Sequence, residues 1–439
     1  MTRSFKERSL PTFPFSLFPE ADPLAHSMPN PDFIIFGAPK IERDEIDEVV
    51  ACLESGWIGT GPRVAQFERE FAGYKSAPYA AAVSSCTAAM HLSVLAAGIG
   101  PGDEVITTPM TFCATVNAIV HAGATPVLAD VDPDTMNIDP ARAEAGLTSK
   151  TKAILAVHFA GRPCDMDALS DIAQRHKLKL IEDCAHAIEA EYHGRKAGTF
   201  GDFGCFSFYA TKNVTTGEGG MVLTRREEDL GRIKMLALHG MSRDAWKRFG
   251  DEGYKHYFVV ETGFKYNMMD LQAALGIHQL RRVESNWRRR EEIWQRYSEA
   301  FADLPLTLPT EPEAETRHAY HLYTVLIDEQ EARISRDTFL NALTDERVGV
   351  GVHYLSIPEH PVYKEKFGWR SEDYPNATRI GRQTVSLPLS AKLTDAEISR
   401  VIEAVEKALG AKSKGQSEKP LKAKGNPQSK PLLYQEVAS

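Results

Sequence analysis

Residues 181–220 read IEDCAHAIEAEYHGRKAGTFGDFGCFSFYATKNVTTGEGG, and the relation between the two ends of this stretch decides the fold. An apolar run at 178–181 stops at Glu182-Asp183, while an aromatic, strand-like run at 203–209 leads into Ala210-Thr211-Lys212 and a glycine-rich turn. In a parallel sheet both runs end at one crevice, and ligands of open α/β sheets bind outside the carboxyl ends of the strands. Asp183 and Lys212 then face the same space. By residue type alone, Asp183 reads equally as a helix N-cap or turn residue, and Lys212 as a solvated surface amine.

Further strand-like runs lie at 79–83, 102–107, 125–130, 153–159 and 220–224, giving seven in all, alternating with helical stretches. That alternation predicts an α/β fold with a mostly parallel seven-stranded sheet covered on both faces. After the first strand, Ser84-Ser85-Cys86-Thr87 leads straight into a helix starting near Ala88. Free backbone N–H groups and the positive helix end there suit a phosphate, and Ser85 equally suits a simple cap. After the second, Thr111-Phe112-Cys113-Ala114-Thr115 opens another helix, with Phe112 readable as a core aromatic.

A carboxylate and an amine in one crevice suit pyridoxal phosphate, whose aldehyde condenses with a lysine and whose ring nitrogen needs an anionic partner. The motifs agree. Glu182-Asp183-Cys184-Ala185-His186-Ala187 and FSFYATKNVTTGEGG at 206–220 closely resemble the DegT/DnrJ/StrS-type family of nucleotide-sugar aminotransferases, which are fold type I pyridoxal phosphate enzymes. That family carries E-D-A-A-H/Q-A followed by F-S-F-x-x-x-K-N-x-x-x-G-E-G-G. The resemblance runs from about residue 33 to 410. It implies that Lys212 is the Schiff-base lysine, Asp183 holds the pyridinium nitrogen, His186 lies against the cofactor and Ser207 reaches the phosphate beside Cys86 and Thr87. The T-F-x-A-T motif implies that Phe112 stacks on the ring. GFKYNM at 263–268 resembles the segment whose polar side chain crosses a dimer interface to the partner's phosphate. Asn267 is the first choice and Lys265 the second, against a plain capped helix start. Thr60, His353 and Tyr354 match positions near the sugar and nucleotide, although His353 also reads as a buried histidine.

The implied reaction moves an amino group from glutamate, or glutamine, to a keto group of a nucleotide-linked deoxysugar, with pyridoxamine phosphate as the intermediate, in surface-polysaccharide or amino-sugar biosynthesis. A fold type I enzyme acting on amino acids and a non-catalytic cofactor-binding regulator are the alternatives. A nicotinamide oxidoreductase is not supported, because Gly59-Thr60-Gly61-Pro62 lacks the full GxGxxG spacing and no strand precedes it.

At 439 residues, 43% hydrophobic and 25% charged, the chain suits two or three domains. The expected division is a disordered extension at 1–32, a large cofactor domain at 33–300, a small C-terminal α+β domain at 301–410 and a disordered basic tail at 411–439. No apolar run approaches bilayer length and residues 1–32 lack a signal-peptide layout, so a cytoplasmic protein without membrane contact is expected. A net charge of −9 gives no support for nucleic-acid binding. The six cysteines show no CxxC spacing, which predicts free thiols and no metal site. Ile46, Val49, Val50 and Leu53 fall on one helical face, and residues 348–354 read as a strand. His239, Arg243 and Trp246 read either as a loop over the site or as plain surface. Thr394 and Glu397 make a capping box for the last helix, with Gly410 at its stop.

Overall fold

The computed structural model describes residues 32–242 and 257–410; the expectations for the two chain ends, Arg243 and Trp246 lie outside the described residues. Seven short apolar segments form the central sheet: β1 (Tyr79–Val83), β2 (Glu104–Thr107), β3 (Thr125–Leu128), β4 (Thr151–Val157), β5 (Lys179–Asp183), β6 (Phe203–Ser207) and β7 (Gly220–Thr224), in the order β1-β7-β6-β5-β4-β2-β3. β7 runs antiparallel to both β1 and β6, and every other pairing is parallel. β5 and β6 are therefore the adjacent parallel pair that the sequence called for, with Asp183 opposite Cys205. The β6 and β7 segments are buried throughout, as strands covered on both faces must be.

Helices close both faces. α3 (Cys86–Ala96) and α6 (Glu227–Ala237) pack on one side with Met90, Leu92, Ile233 and Leu236 against Val105, Leu155 and Val222. On the other side, Phe67 and Phe71 of α2 (Pro62–Lys75) and Ile277 of α7 (Asp270–Arg281) pack on Phe206 and Phe208. α1 (Arg43–Glu54), α4 (Cys113–His121), α5 (Met166–His176) and α8 (Val283–Phe301) also lie before residue 302, with a shorter helix at Pro140–Ala145. A separate apolar core gathers Trp294, Tyr297 and Phe301 of α8 with β8 (Tyr323–Leu326), β9 (Thr384–Leu387) and α9 (Asp395–Ala408). α9 has the expected reciprocal cap between Thr394 and Glu397, and Gly410 follows with a positive φ.

Two expectations need correction. α1 forms, but Ile46, Val50 and Leu53 are exposed, while Glu45 and Cys52 are its buried residues. The helix is held by charge instead: buried Glu45 accepts from Gln279 at 2.7 Å and pairs with Arg282. Residues 348–354 do not form a strand. β9 takes the place beside β8, and the segment makes only single bridges, Ile34 to Val348 and Gly351 to Ser386. Gly349 lies so close to the Ile34 carbonyl that a β-carbon would sit 2.8 Å from it.

The segment leading into β6 is built around Glu182, which as the neighbour of Asp183 along β5 points to the opposite face of the sheet. Its Oε1 accepts from Phe200 and Gly201 N–H at 2.7 Å each, and its Oε2 from Gly198 N–H at 2.6 Å and His158 Nε2 at 3.1 Å. His158 Nδ1 accepts from Cys164 N–H, so Nε2 carries the donated hydrogen. Cys184 lies near this pair, but the bonds above already use the carboxylate and both ring nitrogens. All six cysteines are free thiols. Glu182→Ala would orphan the buried N–H groups of Gly198 and Gly201, the partly buried one of Phe200 and an imidazole, and is expected to cost about 3 kcal/mol or more, read as a lower denaturant midpoint.

Candidate active site

β1, β5 and β6 deliver their carboxyl ends to one crevice. Val83 ends β1, and Ser85 then caps α3 by accepting from Ala88 N–H at 3.1 Å. The cap and anion readings therefore coexist. Cys86 and Thr87, as the first two residues of α3, have N–H groups with no acceptor inside the helix. Gly220 lies against this terminus, where a β-carbon would fall 2.4 Å from Ser85 C and 2.7 Å from Cys86 N. Only glycine lets β7 come that close. Ser207 is the ladder partner of Gly220, so its side chain belongs to the same corner.

Asp183 is buried at the end of β5. Its Oδ2 accepts from Thr115 Oγ1 at 2.9 Å and its Oδ1 from Ala185 N–H at 3.1 Å, with Cys86 Sγ at 3.8 Å. Burial raises its pKa above the ordinary carboxylate value; the Ala185 N–H, Thr115 and the Lys212 charge pull the other way. Lys212 follows β6 on the loop toward β7, and burial pushes its amine down to about 8, with Cys86 and Asp183 partly opposing the shift. The amine and the carboxylate thus act on each other inside one desolvated space.

His186 is 7% exposed, with Nε2 3.1 Å from Tyr354 Oη and Nδ1 buried without a partner. Burial first, then the Lys212 charge, holds it well below its usual pKa, so the ring is neutral. Phe112 is 57% exposed at the N-cap of α4, its ring 5.8 Å from that of Tyr354. An aromatic left that open is not a core residue. His353 is likewise pushed down, to about 4, by burial and then Lys212, and its Nδ1 lies 2.9 Å from Ser386 Oγ.

Thr60 and Asn267 are brought to each other rather than to Lys212. Asn267 Nδ2 donates to Thr60 Oγ1 at 2.7 Å, and Thr60 in turn donates to the Met268 carbonyl at 2.5 Å. Asn267 Oδ1 is buried without a partner, and Lys265 is exposed. Both members of the Thr60–Asn267 pair line a largely apolar cavity of about 760 Å³ with Trp57, Leu230, Met235 and Met241.

Residue-type reasoning missed several supports. Thr115, the last residue of the T-F-x-A-T motif, holds Asp183 and was legible in that pattern. Asn213 follows Lys212 and is pinned by Glu189 at 2.8 Å, the Ala319 carbonyl at 3.0 Å and His321 Nδ1 at 2.9 Å. Glu189 pairs with Arg290 at 2.5 Å in the interior, and His321 packs on His186 with ring centroids 4.4 Å apart. No spacing in the sequence links these positions, which lie far apart along the chain.

The sequence profile of the DegT/DnrJ/EryC1/StrS aminotransferase family matches residues 39–406. The spore coat polysaccharide biosynthesis protein SpsC of Bacillus subtilis is 49% identical over 374 residues, covering 85% of this chain and 96% of that protein. Spr1654 of Streptococcus pneumoniae, assigned as a sugar aminotransferase, superimposes in its pyridoxamine phosphate form with a TM-score of 0.80 at 33% identity, covering 86% of this chain and 98% of the other; it is also solved in a pyridoxal phosphate form. PseC of Helicobacter pylori, an aminotransferase of pseudoaminic acid biosynthesis, gives a TM-score of 0.79 at 27% identity, covering 86% and 99%.

The residues present fit that cofactor. The crevice offers an open aromatic face at Phe112, an unpartnered His186 Nδ1, a buried carboxylate, a half-buried amine with a lowered pKa and an anion-receptive helix end. Because Phe112 is exposed, Phe112→Ala should leave the melting temperature nearly unchanged. It should weaken pyridoxamine phosphate binding by about tenfold, the size of one lost aromatic stacking contact, as read by equilibrium titration.

Proposed function

The chain belongs to the DegT/DnrJ/EryC1/StrS aminotransferase family, and from that premise we propose that it transfers the amino group of glutamate, or glutamine, to the keto group of a nucleotide-linked deoxysugar. Its cofactor is pyridoxal 5′-phosphate, with pyridoxamine phosphate as the alternate form. The similarity to SpsC supports a place in surface-polysaccharide or amino-sugar biosynthesis. One observation carries the catalytic part: the half-buried Lys212 amine, pushed down to about 8, shares its crevice with the buried carboxylate of Asp183.

When bound, the cofactor supplies an electron sink for the carbon that loses its proton. The chain supplies everything else. Lys212 would hold the cofactor, and its free amine would move a proton at the reacting carbon, a task suited to a group titrating near the working pH. Asp183, fixed by Thr115 and Ala185, keeps a proton on the ring nitrogen. Cys86 and Thr87 N–H groups, with Ser207, would bind the phosphate, and Phe112 and neutral His186 would hold the ring. His353 and Tyr354 line the approach for the sugar, and Tyr354 is oriented by its bond to His186.

We assign the protein to the cytoplasm as a homodimer. No helix among the described residues is long and apolar enough to cross a membrane. The exposed Ile46, Val50, Leu53, Trp57 and Ile58 and the cavity beside Thr60 and Asn267 are where a second copy would be expected to pack, with Asn267 reaching toward the partner's phosphate. The deciding experiment incubates the cofactor-loaded protein with glutamate and a panel of nucleotide-linked keto sugars. Formation of an amino sugar with matching 2-oxoglutarate supports the proposal. Exchange confined to amino and keto acids would overturn it.

A further inference from the structure

At the end of the sheet opposite the crevice, a cavity of about 440 Å³ opens where Pro78 precedes β1, Asp202 precedes β6 and Thr224 ends antiparallel β7. Its volume lies in the range of small-molecule pockets. Four cations line it, Lys75, Arg195, Lys196 and Arg225, against two carboxylates, Glu191 and Asp202, in a chain that is acidic overall. Both carboxylates are engaged. Glu191 takes Lys196 at 2.9 Å and Arg317 at 3.6 Å, and Asp202 takes Lys179 at 2.7 Å and Leu180 N–H at 3.1 Å.

Neither Arg195 nor Arg225 meets a carboxylate among the described residues. Each instead turns an Nη2 to the same carbonyl, that of Thr199; Arg225 also donates to the Phe200 carbonyl at 3.1 Å, and Arg195 lies 4.4 Å over the Phe200 ring. Two guanidinium groups converging on one neutral oxygen leave positive charge and N–H capacity unspent. Lys75 adds a third unpaired cation: it is fully buried, donates to the Ile188 carbonyl at 2.7 Å and faces the Phe206 ring. An anion bound between the two arginines would satisfy what the protein leaves open, and paired guanidinium groups match phosphate oxygens in a planar, bidentate way.

We propose that this cavity is a second binding site, remote from the crevice, that takes a small phosphorylated molecule of sugar-phosphate size. The loop it sits on, residues 198–201, is the one whose N–H groups are bonded to Glu182, the neighbour of Asp183. A ligand held by Arg195 and Arg225 is thus in mechanical contact with the base of the crevice.

The test uses full-length protein saturated with its cofactor and reduced with borohydride, so that the crevice phosphate position is filled, titrated calorimetrically with glucose 6-phosphate and with glucose. Saturable binding of the phosphorylated sugar alone, weakening as salt rises, is expected. Arg195→Gln/Arg225→Gln should raise its dissociation constant by at least about tenfold, as loss of charge-assisted bonds requires. Ser76→Asp, at an exposed left-handed position on the cavity rim that aspartate tolerates, should also weaken binding while removing no arginine contact. If circular dichroism shows the double variant unfolded, Ser76→Asp decides. Absence of saturable binding, or undiminished binding in the folded variants, overturns the proposal. Because the variants lie outside the crevice, this outcome is independent of whether Lys212 carries amino transfer.

Discussion

Lys212→Ala is expected to remove the visible band of the cofactor-loaded protein and to lower amino transfer by at least about a thousandfold, the range for losing a positioned acid–base group. The wild-type band should bleach on adding glutamate; the variant should show no band to bleach. The size of the effect follows from the environment of the amine. Lowered to about 8, it is neutral for about a tenth of the molecules at pH 7, against roughly three in ten thousand for an ordinary lysine. Only the neutral amine can condense with an aldehyde, so attachment of the cofactor to wild-type protein should speed up as pH rises through 8 and then level off. A rate still climbing steadily toward pH 10 would contradict the lowered amine.

Asp183→Asn is expected to have the second-largest effect, a loss in turnover of about a hundredfold or more. The amide cannot hold a proton on the ring nitrogen by charge. Its effect on stability should run the other way. Burial raises the Asp183 pKa, so without cofactor the folded state keeps its proton to higher pH than the unfolded chain. Stability then falls as pH climbs from the ordinary carboxylate range through the raised value, and at neutral pH the buried charge is a cost. Cofactor-free Asp183→Asn should therefore melt no lower than wild type at pH 7. Activity lost together with a large drop in melting temperature would instead make Asp183 a structural group.

The sequence carried the sheet well because the strands other than the edge strand β3 are buried along most of their length and so read as apolar runs. The segments at 79–83 and 220–224 agree residue for residue, and β5 and β6 meet as the parallel neighbours that put Asp183 and Lys212 together. It failed where long-range partners outweigh local pattern. Ile46, Val49, Val50 and Leu53 line up on one face of α1 as their spacing predicts, yet Glu45 meeting Gln279 and Arg282, more than two hundred residues away, is what seats that helix. Residues 348–354 have strand-forming composition, but β9 captured the place beside β8. In the crevice, motif residues were legible and their supports were not. Asn213, His321, Glu189 and Arg290 act through contacts that no spacing encodes.

The reversed strand β7 has a consequence for how the protein is made. Because β7 turns back beside β6, the loop carrying Lys212 spans only residues 208–219, whereas a parallel neighbour would need a crossover to the other end of the sheet. The hairpin contacts are local in sequence and can form as soon as this part of the chain has been synthesised. What fixes the lysine's neighbour is different: Asn213 is pinned by Ala319 and His321, about a hundred residues later. A nascent chain would thus own a complete sheet well before it owns a fixed lysine, and tight uptake of the cofactor should be one of the last properties to emerge from the ribosome.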